Sequence, residues 1–521
     1  MNNSLPVSKH VPNKWTLSRL AILVIFLGFI LRLFAFKSSY IINLDGTLYI
    51  QQAKASYYHL WDSLTVCFPY LSNYPILIAF TYKVFGDWVV AAKAVSLIFG
   101  SLSLIPLYLL LRRFFDETIT SFSLLIFALN PAFIDLCGKV IRGPIYWFFS
   151  LIGLYLFTLQ IEKKNYLHLV FCSIALFIAA WARLEAMLYI IMSFFYIFAI
   201  AKEKKLQNLF FFLFPIILII VILLISNIHI KELFAPQQIA NRLSGALENY
   251  QTLRANLSKI IDQNPTGFSP YFFPKVRNLI WFIAIGALFV QIARAFFLPF
   301  FLIFVLGLVG LRGRIKEDPR LLYLAILSAS SLILLYLQTL YNWAMVCRHI
   351  ALFLFPSFCV VGFGLEKIIN YLHSKFKLKK SMAYIIVFLL IFSIALPKNL
   401  KADRTDKVVF KEIGGFISRQ EGNRREILIA GSFKWIRLIH FYANLNYSGA
   451  PCFNINSILT NENKGSLRFL KEKAFNYFIW DEKNWTKKEL DSIRNKYHEI
   501  IIELKEWWSP ELGRLILFKV I

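Results

Sequence analysis

The sequence predicts a polytopic α-helical membrane protein of about eleven transmembrane helices, with a small α/β domain at its C-terminal end. The first reason is composition: 58% of the 521 residues are hydrophobic and only 17% are charged, whereas soluble domains are about 45–50% apolar and about 25% charged. The second is that many apolar segments reach the roughly 17–25 residues that a helix needs to cross a bilayer. The third is a change near residue 400, after which short apolar runs alternate with charged segments.

The predicted spans are the long apolar segments, separated by short polar or basic links. They lie at 19–36, 88–111, 119–134, 145–160, 166–181, 185–201, 209–226, 295–311, 321–336, 350–367 and 382–397. The apolar stretch 279–293 fits three structures: a twelfth span, a re-entrant piece, or a helix lying at the membrane interface.

The charges of the connecting loops orient these spans. With a cytoplasmic N-terminus, the inside loops hold roughly 17 Lys and Arg residues in about 57 positions, and the outside loops roughly 13 in about 129. The opposite orientation would break the positive-inside rule at nearly every loop. An odd number of spans then places the C-terminal domain outside the cytoplasm.

Two predicted outside loops, 37–87 and 227–279, are long, whereas the inside loops are all short. Long loops in compact proteins usually carry function or are disordered. Because both loops are rich in aromatic residues, we expect ordered amphipathic helices at the interface instead of disorder. Chemistry is therefore expected on the outer face.

Residues 1–399 form the predicted transmembrane domain, and residues 400–521 the predicted soluble domain. Apolar runs typical of strands alternate in this tail with charged segments typical of helices. The strands are expected at 427–429, 477–479 and 515–517, and the helices at 407–419, 464–474 and 485–497. The tail shows no phosphate-binding glycine loop and no catalytic triad signature.

Charge and cysteine usage exclude some classes of function. The formal net charge of +27 would suggest nucleic acid in a soluble protein, but much of it lies in short loops where lipid headgroups attract it, so no nucleic-acid partner is expected. The six cysteines form no CxxC motif, which disfavours a zinc or redox site. Cys67, Cys137 and Cys347 could share one side of the membrane, which leaves a disulfide open. Arg32 and Lys37 follow the first apolar segment, so this segment is interpreted as a retained anchor.

Asp45 is the candidate catalytic residue. It follows the first span directly, where partial desolvation can raise the pKa of a carboxyl group enough for a general base. The structural alternative is that Asp45 caps a helix beginning at Gly46.

Charged residues also flank several other spans at their predicted outer ends. Such charges near the hydrocarbon often mark substrate paths, and arginine suits phosphate because its planar fork matches two oxygens. The alternatives are snorkelling at the interface or simple ion pairs. The residues concerned are Arg142, Arg183, Glu185, Arg348 and His349.

Four stretches in a fixed order carry a more specific signal. They are Asp45 to Tyr49, similar to an Asp-Glu-x-x-Tyr motif; Tyr74-Pro75 to Asp87, continuing to Ser96, Phe99-Gly100, Pro106-Leu107-Tyr108 and Arg112-Arg113-Phe114; Arg142-Gly143-Pro144 with Arg183-Leu184-Glu185; and Arg348-His349 to Pro356, with Gly362-Phe363-Gly364-Leu365-Glu366. Their order and spacing resemble the membrane glycosyltransferases of the C-type superfold, specifically the protein-mannosyltransferase and aminoarabinose-transferase-like group. The resemblance covers most of residues 20–400, and this family also has a soluble outer domain after the last span.

The resemblance implies an enzyme that moves a sugar from a polyprenyl-phosphate carrier to an acceptor at the outer face of the membrane. Carried over, Asp45 activates or orients the acceptor hydroxyl, and Tyr49 belongs to the same motif. Arg142, Arg183 and Arg348 hold the departing phosphate and stabilise its developing charge. A base on one face of the sugar and a phosphate on the other imply a single displacement with inversion.

Departures from the family pattern are also informative. Gly46 stands in place of the second acid of the motif, and Leu48 and Asn73 replace basic residues of the aminoarabinose transferases. We therefore do not expect an aminoarabinose transferase. Other basic residues are expected to help bind the carrier phosphate, for instance Lys54, Lys139 or Arg254.

A single acid with no nearby histidine is a poor metal site, so no essential metal or other cofactor is expected, although a divalent ion is left open. The expected partners are the lipid-linked donor, a lipid, protein or glycan acceptor, and membrane lipids. The Lys-, Asn- and Ile-rich composition suggests the plasma (inner) membrane of a bacterium.

Two other function classes are weighed against this one. A transporter or flippase would favour repeated halves and charges in mid-span. An envelope glycan ligase or polymerase would depend on Arg and His without an acidic base.

Overall fold

The computed structural model describes residues 17–68, 70–200, 204–225, 236–263, 267–401, 406–453, 458–459 and 469–521. The helices before residue 400, in chain order, are α1 (Arg19–Ser38), α2 (Leu44–Tyr57), α3 (Asn73–Phe85), α4 (Trp88–Leu102), α5 (Leu104–Leu111), α6 (Glu117–Ala128), α7 (Pro131–Cys137), α8 (Gly143–Lys163), α9 (Tyr166–Ala182), α10 (Met187–Phe195), α11 (Lys205–Ile225), α12 (Pro236–Asp262), α13 (Phe272–Phe296), α14 (Leu298–Leu308), α15 (Leu311–Glu317), α16 (Pro319–Asn342), α17 (Cys347–Ser357), α18 (Cys359–Lys375) and α19 (Lys380–Asn399).

The polytopic helical class is confirmed. Within the described ranges, seven helices have the length and hydropathy of a membrane span, and up to ten do if each of three bent helix pairs is one span. The seven are α1, α4 with α5, α8, the first part of α11, α13, α16 and α19. The predicted spans 166–181 and 185–201 correspond to two shorter apolar helices, Tyr166–Ala182 and Leu184–Ile200.

Three predicted spans are broken by sharp bends. The pairs α6–α7, α14–α15 and α17–α18 bend by 59°, 62° and 65°. Pro131 is the first residue of α7, and Gly310 precedes α15 with a left-handed φ of +80°. Pro356 lies just before the break between α17 and α18. Proline removes a backbone donor and crowds the preceding turn, so hydropathy alone finds these segments but misses their breaks.

The stretch 279–293 lies inside α13, a 25-residue helix with the length and hydropathy of a span. The long loop predicted at 227–279 therefore ends earlier than expected. Its central part is α12, a polar amphipathic helix, as expected for an interfacial element.

Helix α1 shows how the bundle is assembled. Its buried side chains recur every three to four residues and include Ala21, Gly28 and Arg32, while Leu23 and Phe26 are exposed. This pattern is an apolar helix with one packed stripe and an outer surface suited to lipid. The Arg32 guanidinium donates to the carbonyls of Gly28 (2.9 Å) and Ala128 (3.2 Å), which ties α1 to α6.

The C-terminal domain is a small α/β unit, as predicted. Its helices are α20 (Val408–Glu421), α21 (Ile436–Ala443), α22 (Phe469–Glu472) and α23 (Lys487–Lys496), and its strands are β1 (Ile429–Gly431), β2 (Tyr477–Asp481), β3 (Ile501–Ser509) and β4 (Gly513–Val520). The sheet order is β1-β2-β4-β3, with β1 and β2 parallel and the other pairs antiparallel. Of the helix predicted at 464–474, residues 464–468 lie outside the described residues.

The alternation of side chains along β2 places helices on both faces of the sheet. Tyr477 and Ile479 pack with α20, α21 and, through them, the main core, whereas Phe478 and Trp480 pack with α23. Strand β3 was not predicted. It begins in the apolar run Ile500-Ile501-Ile502, but its inner residues are mostly exposed and include Glu503, and the run was not recognised as a strand.

The C-terminal domain is fastened to the segment that follows α1, and we call this contact the domain seam. Lys54 is buried, and its ammonium group donates to the carbonyls of Asn444 (3.1 Å), Leu445 (3.1 Å) and Tyr447. Burial lowers the pKa of Lys54 to about 7. The hydroxyl of Tyr442 accepts a hydrogen bond from the backbone N–H of Ile42 at 3.2 Å.

A disulfide between Cys67 and Cys452 joins the two sides of the seam across 385 residues of sequence. Cys137 and Cys347, the other cysteines considered as partners for Cys67, are free thiols. Composition gave no reason to select Cys452, because its proximity to Cys67 results from the docking of the whole domain.

Lys54→Met is expected to weaken the domain seam. It leaves one buried and two partly buried carbonyls without their donor, which costs on the order of 3 kcal/mol in the free energy of unfolding. The measurement is thermal unfolding of the detergent-purified protein. Lys139→Met is the matched control, because Lys139 makes only an exposed pair with Asp135 at i,i+4, worth about 0.5 kcal/mol or less. Equal melting temperatures for the two variants would contradict the seam as described.

Cys67→Ser is expected to lower the free energy of unfolding by about 2–4 kcal/mol, while Cys347→Ser leaves it nearly unchanged. In the wild type, alkylation followed by peptide mass spectrometry should modify Cys67 and Cys452 only after reduction. Labelling of both cysteines without a reductant would show that the bond is absent.

Candidate active site

The first turn of α2 carries Asp45. The preceding residue Asn43 fixes this end of the helix, because its side-chain oxygen accepts a hydrogen bond from the backbone N–H of Val140 at 3.0 Å. Helix α2 begins at Leu44, so Asp45 lies inside the first turn and is not the cap of a helix beginning at Gly46. The positive end of a helix dipole favours a carboxylate at this position.

Gly46 stands where the resembled family has a second acid, and packing explains its presence. A Cβ atom at this position would lie 2.8 Å from Cβ of Val140. A larger side chain would therefore push α2 away from the link between α7 and α8. This close approach brings Asp45 and Arg142, which belong to two different segments, to the same cavity.

Asp45 pairs with Arg348 at the start of α17. Nη1 of Arg348 lies 2.7 Å from Oδ2 of Asp45, and the two side chains are 31% and 44% exposed. Among the described residues, Oδ1 of Asp45 receives no hydrogen bond. One carboxylate oxygen is therefore held and the other is open to a substrate.

Arg142 is held by aromatic side chains. Its guanidinium carbon lies 5.8 Å from the ring centre of Tyr49 and 5.2 Å from those of Phe68 and Tyr70, and it donates a hydrogen bond to the Tyr70 hydroxyl. No carboxylate in the described ranges lies within ion-pair distance of it. Cation–π contacts orient an arginine without neutralising its charge.

Arg183 and Glu185 form an ion pair at 3.1 Å, as the structural alternative for these residues predicted. The Arg183 guanidinium also lies 5.9 Å from the ring centre of Tyr146. His349, next to Arg348, has Nδ1 3.3 Å from Nε2 of Gln338 at the end of α16. Arg183, Tyr146 and Gln338 thus bring the ends of α9, α8 and α16 to the site.

A cavity of about 490 Å³ connects these groups, and we call it the loop cavity. Its lining residues are Asp45, Tyr49, Phe68, Ile141, Arg142, Gly143, Arg183, Glu185, Gln338, Tyr341, Asn342, Arg348 and His349. All of the predicted site residues except Lys54, Lys139 and Arg254 line it. Its volume is within the range of small-molecule sites, roughly 300–1,000 Å³.

The three auxiliary basic residues lie elsewhere. Lys54 is fully engaged by carbonyls of the C-terminal domain, Lys139 pairs with Asp135 at 2.6 Å, and Arg254 is exposed on α12. None of the three lines the loop cavity. Phosphate binding by these three residues stays a prediction.

Sequence reasoning missed Gln338, Tyr341 and Asn342. They lie near the C-terminal end of α16. Tyr residues at the ends of spans were interpreted as membrane-interface anchors, so nothing in the sequence pointed to these three. Within the part of the chain that the structure describes, no group of three His, Cys, Asp or Glu residues could hold a metal ion. The expectation of no essential metal stays a prediction.

Part of the chain matches a known protein family. Residues 73–229 match the family model described as dolichyl-phosphate-mannose-protein mannosyltransferase. A search of curated protein sequences returned no match.

Solved structures are similar in fold. ArnT from Cupriavidus metallidurans, bound to undecaprenyl phosphate, has a TM-score of 0.53 at 9% identity, with 95% of this chain and 97% of ArnT covered. The Archaeoglobus fulgidus oligosaccharyltransferase AglB, in complex with an inhibitory peptide and a dolichol-phosphate, has a TM-score of 0.53 at 12% identity, with 96% and 74% covered. The oligosaccharyltransferase of the same organism, tethered to an acceptor peptide, has a TM-score of 0.57 at 14% identity, with 95% and 73% covered.

The chain is therefore an integral membrane protein with the fold of the C-type glycosyltransferases, and its residues 73–229 match the dolichyl-phosphate-mannose-protein mannosyltransferase family.

Proposed function

We propose that this protein is a glycosyltransferase that moves a sugar from a polyprenyl-phosphate carrier to an acceptor in the loop cavity. The observation that carries the proposal is Arg142, a cation oriented by three aromatic rings and without a carboxylate partner among the described residues. Such a charge is available to a phosphate. The family match and the fold support the reaction class.

The donor class follows from the charges around the cavity. The carboxylates of Asp45 and Glu185 balance the charges of Arg348 and Arg183. Among the described lining residues, Arg142 then leaves one formal positive charge. A lipid-linked phosphodiester brings one negative charge on the linking phosphate. Undecaprenyl phosphate and dolichol-phosphate are bound by two of the structurally similar proteins, which supports the same kind of carrier here.

The proposed reaction is a single displacement. The acceptor hydroxyl attacks the anomeric carbon, the bond from that carbon to the phosphate oxygen breaks, and the polyprenyl phosphate leaves. Asp45 takes the proton of the acceptor hydroxyl through Oδ1, while Arg348 holds Oδ2. Arg142, assisted by Arg183, stabilises the charge that develops on the leaving phosphate, and attack opposite the leaving group inverts the anomeric centre.

We also propose that the loop cavity and the C-terminal domain face the outside of a bacterial plasma membrane. Helix α16 supports this orientation, because its C-terminal end lines the cavity while Arg320 and the basic residues of α15 lie at its other end. The disulfide between Cys67 and Cys452 supports it independently, since structural disulfides persist in oxidising compartments.

Asp45→Asn is expected to reduce the rate of sugar transfer at least about a hundredfold, the scale of losing a general base. The assay incubates purified protein with radiolabelled polyprenyl-phosphate sugars and an envelope extract, and measures sugar released from the carrier. Asp135→Asn is the matched control, because Asp135 is 54% exposed, lies outside the cavity and pairs only with Lys139.

Two results would contradict this account. A wild-type rate in Asp45→Asn would remove Asp45 from the mechanism. A folded wild type that releases sugar from no donor in the panel would contradict the proposed function itself and favour a transporter or a ligase.

A further inference from the structure

Arg437 of the C-terminal domain reaches across the domain seam to the helix that carries Asp45. It lies in the first turn of α21, and its Nε donates to the hydroxyl oxygen of Thr47 at 2.9 Å. The Thr47 hydroxyl in turn donates to the carbonyl of Leu44 at 2.7 Å. Two linked hydrogen bonds therefore connect a residue of the soluble domain to the first turn of α2.

The Arg437 guanidinium also lies near Asp45. Burial lowers the pKa of the Arg437 guanidinium, and the nearby Asp45 carboxylate opposes this shift. Nη2 of Arg437 is buried and makes no hydrogen bond with any described residue. The hydrogen bond to Thr47 is therefore one of few contacts that hold this side chain.

We propose that Arg437 is a positioning residue for Asp45, which makes the C-terminal domain a working part of the active site. Arg437 fixes through Thr47 the first turn of α2, which carries Asp45. This inference depends on the proposed function. It goes beyond the residues that line the loop cavity, since Arg437 is not one of them.

The simpler role for Arg437 would be to anchor the domain. The seam has other bonds that could serve that purpose alone, such as the bond from Ile42 to the Tyr442 hydroxyl. An anchor and a positioning residue differ in one measurable property, which is whether kcat falls in a variant that stays folded with its C-terminal domain docked. Tyr442 bonds the backbone of Ile42 before α2, so its loss tests docking while the bond from Arg437 to Thr47 is intact.

The effect expected from this role is on the rate of transfer and not on donor binding. Asp45 acts on the acceptor hydroxyl, so a loosened first turn of α2 slows the transfer step. The groups proposed to hold the donor phosphate, Arg142 and Arg183, are not bonded to Arg437 or Thr47 and should keep their positions.

The experiment measures kcat and KM for the lipid-linked donor in full-length Arg437→Met, Arg437→Gln and Tyr442→Phe. Met removes the donor to Thr47, whereas Gln places an amide donor at the same position along the side chain as Nε of Arg437. Arg437→Met is expected to lower kcat about tenfold with little change in KM. Arg437→Gln should restore most of kcat, and Tyr442→Phe should leave kcat near the wild-type value.

An active wild type in which Arg437→Met has the wild-type kcat would overturn the inference and leave the proposed function intact. So would equal losses of kcat in Arg437→Met and Tyr442→Phe, which would assign Arg437 to docking, or an Arg437→Gln variant no better than Arg437→Met. Melting temperatures of the variants separate loss of folding from loss of activity. A wild type without transfer activity would instead contradict the proposed function, and the inference with it.

Discussion

The active site depends on the position of α2, because this helix holds the Asp45 carboxylate in place. It has 14 residues, follows the first span and is not itself one of the spanning helices. Isolated helices of that length are marginal in water, so α2 depends on tertiary contacts. Asn43 bonds to Val140 at one end, Asp45 pairs with Arg348, and Lys54 bonds to three carbonyls of the C-terminal domain. The disulfide at Cys67 adds a covalent limit on how far the two parts can separate.

The electrostatics of the loop cavity follow from how each arginine is held. Arg183 and Arg348 are paired with carboxylates, whereas Arg142 lies among the rings of Tyr49, Phe68 and Tyr70. A paired guanidinium must exchange its partner to bind an anion, but an arginine held by ring faces keeps its charge available. This difference is the reason that we propose Arg142 as the residue that binds the phosphate.

The sequence was sufficient for the helical membrane class, because hydropathy reports on lipid contact directly, and for most of the residues that line the loop cavity. Asp45, Arg142, Arg183 and Arg348 were selected because charges at span ends are costly unless used. The sequence could not show that Lys54 has a different role from these residues. A binding site and a structural contact can each hold a buried cation, and only the docked C-terminal domain shows that Lys54 bonds to carbonyls.

The bends at Pro131 and Pro356 and the role of Arg437 were also beyond sequence reasoning. A proline in an apolar run leaves the hydropathy of the segment almost unchanged while it breaks the helix. The contact between Arg437 and Thr47 joins positions 390 residues apart, and no local pattern encodes it. Strand β3 was missed for a different reason, since its apolar start at Ile501 and Ile502 is followed by charged, mostly exposed residues.

The central claim is that the loop cavity binds a lipid-linked sugar with its phosphate at Arg142. The most direct test is a cryo-electron microscopy structure of the protein with a non-cleavable polyprenyl-phosphonate sugar. The account predicts density for the phosphonate within hydrogen-bonding distance of the Arg142 guanidinium, with the anomeric carbon turned toward Asp45. Density for the phosphonate outside the loop cavity, for example among the basic residues of α15, would contradict it.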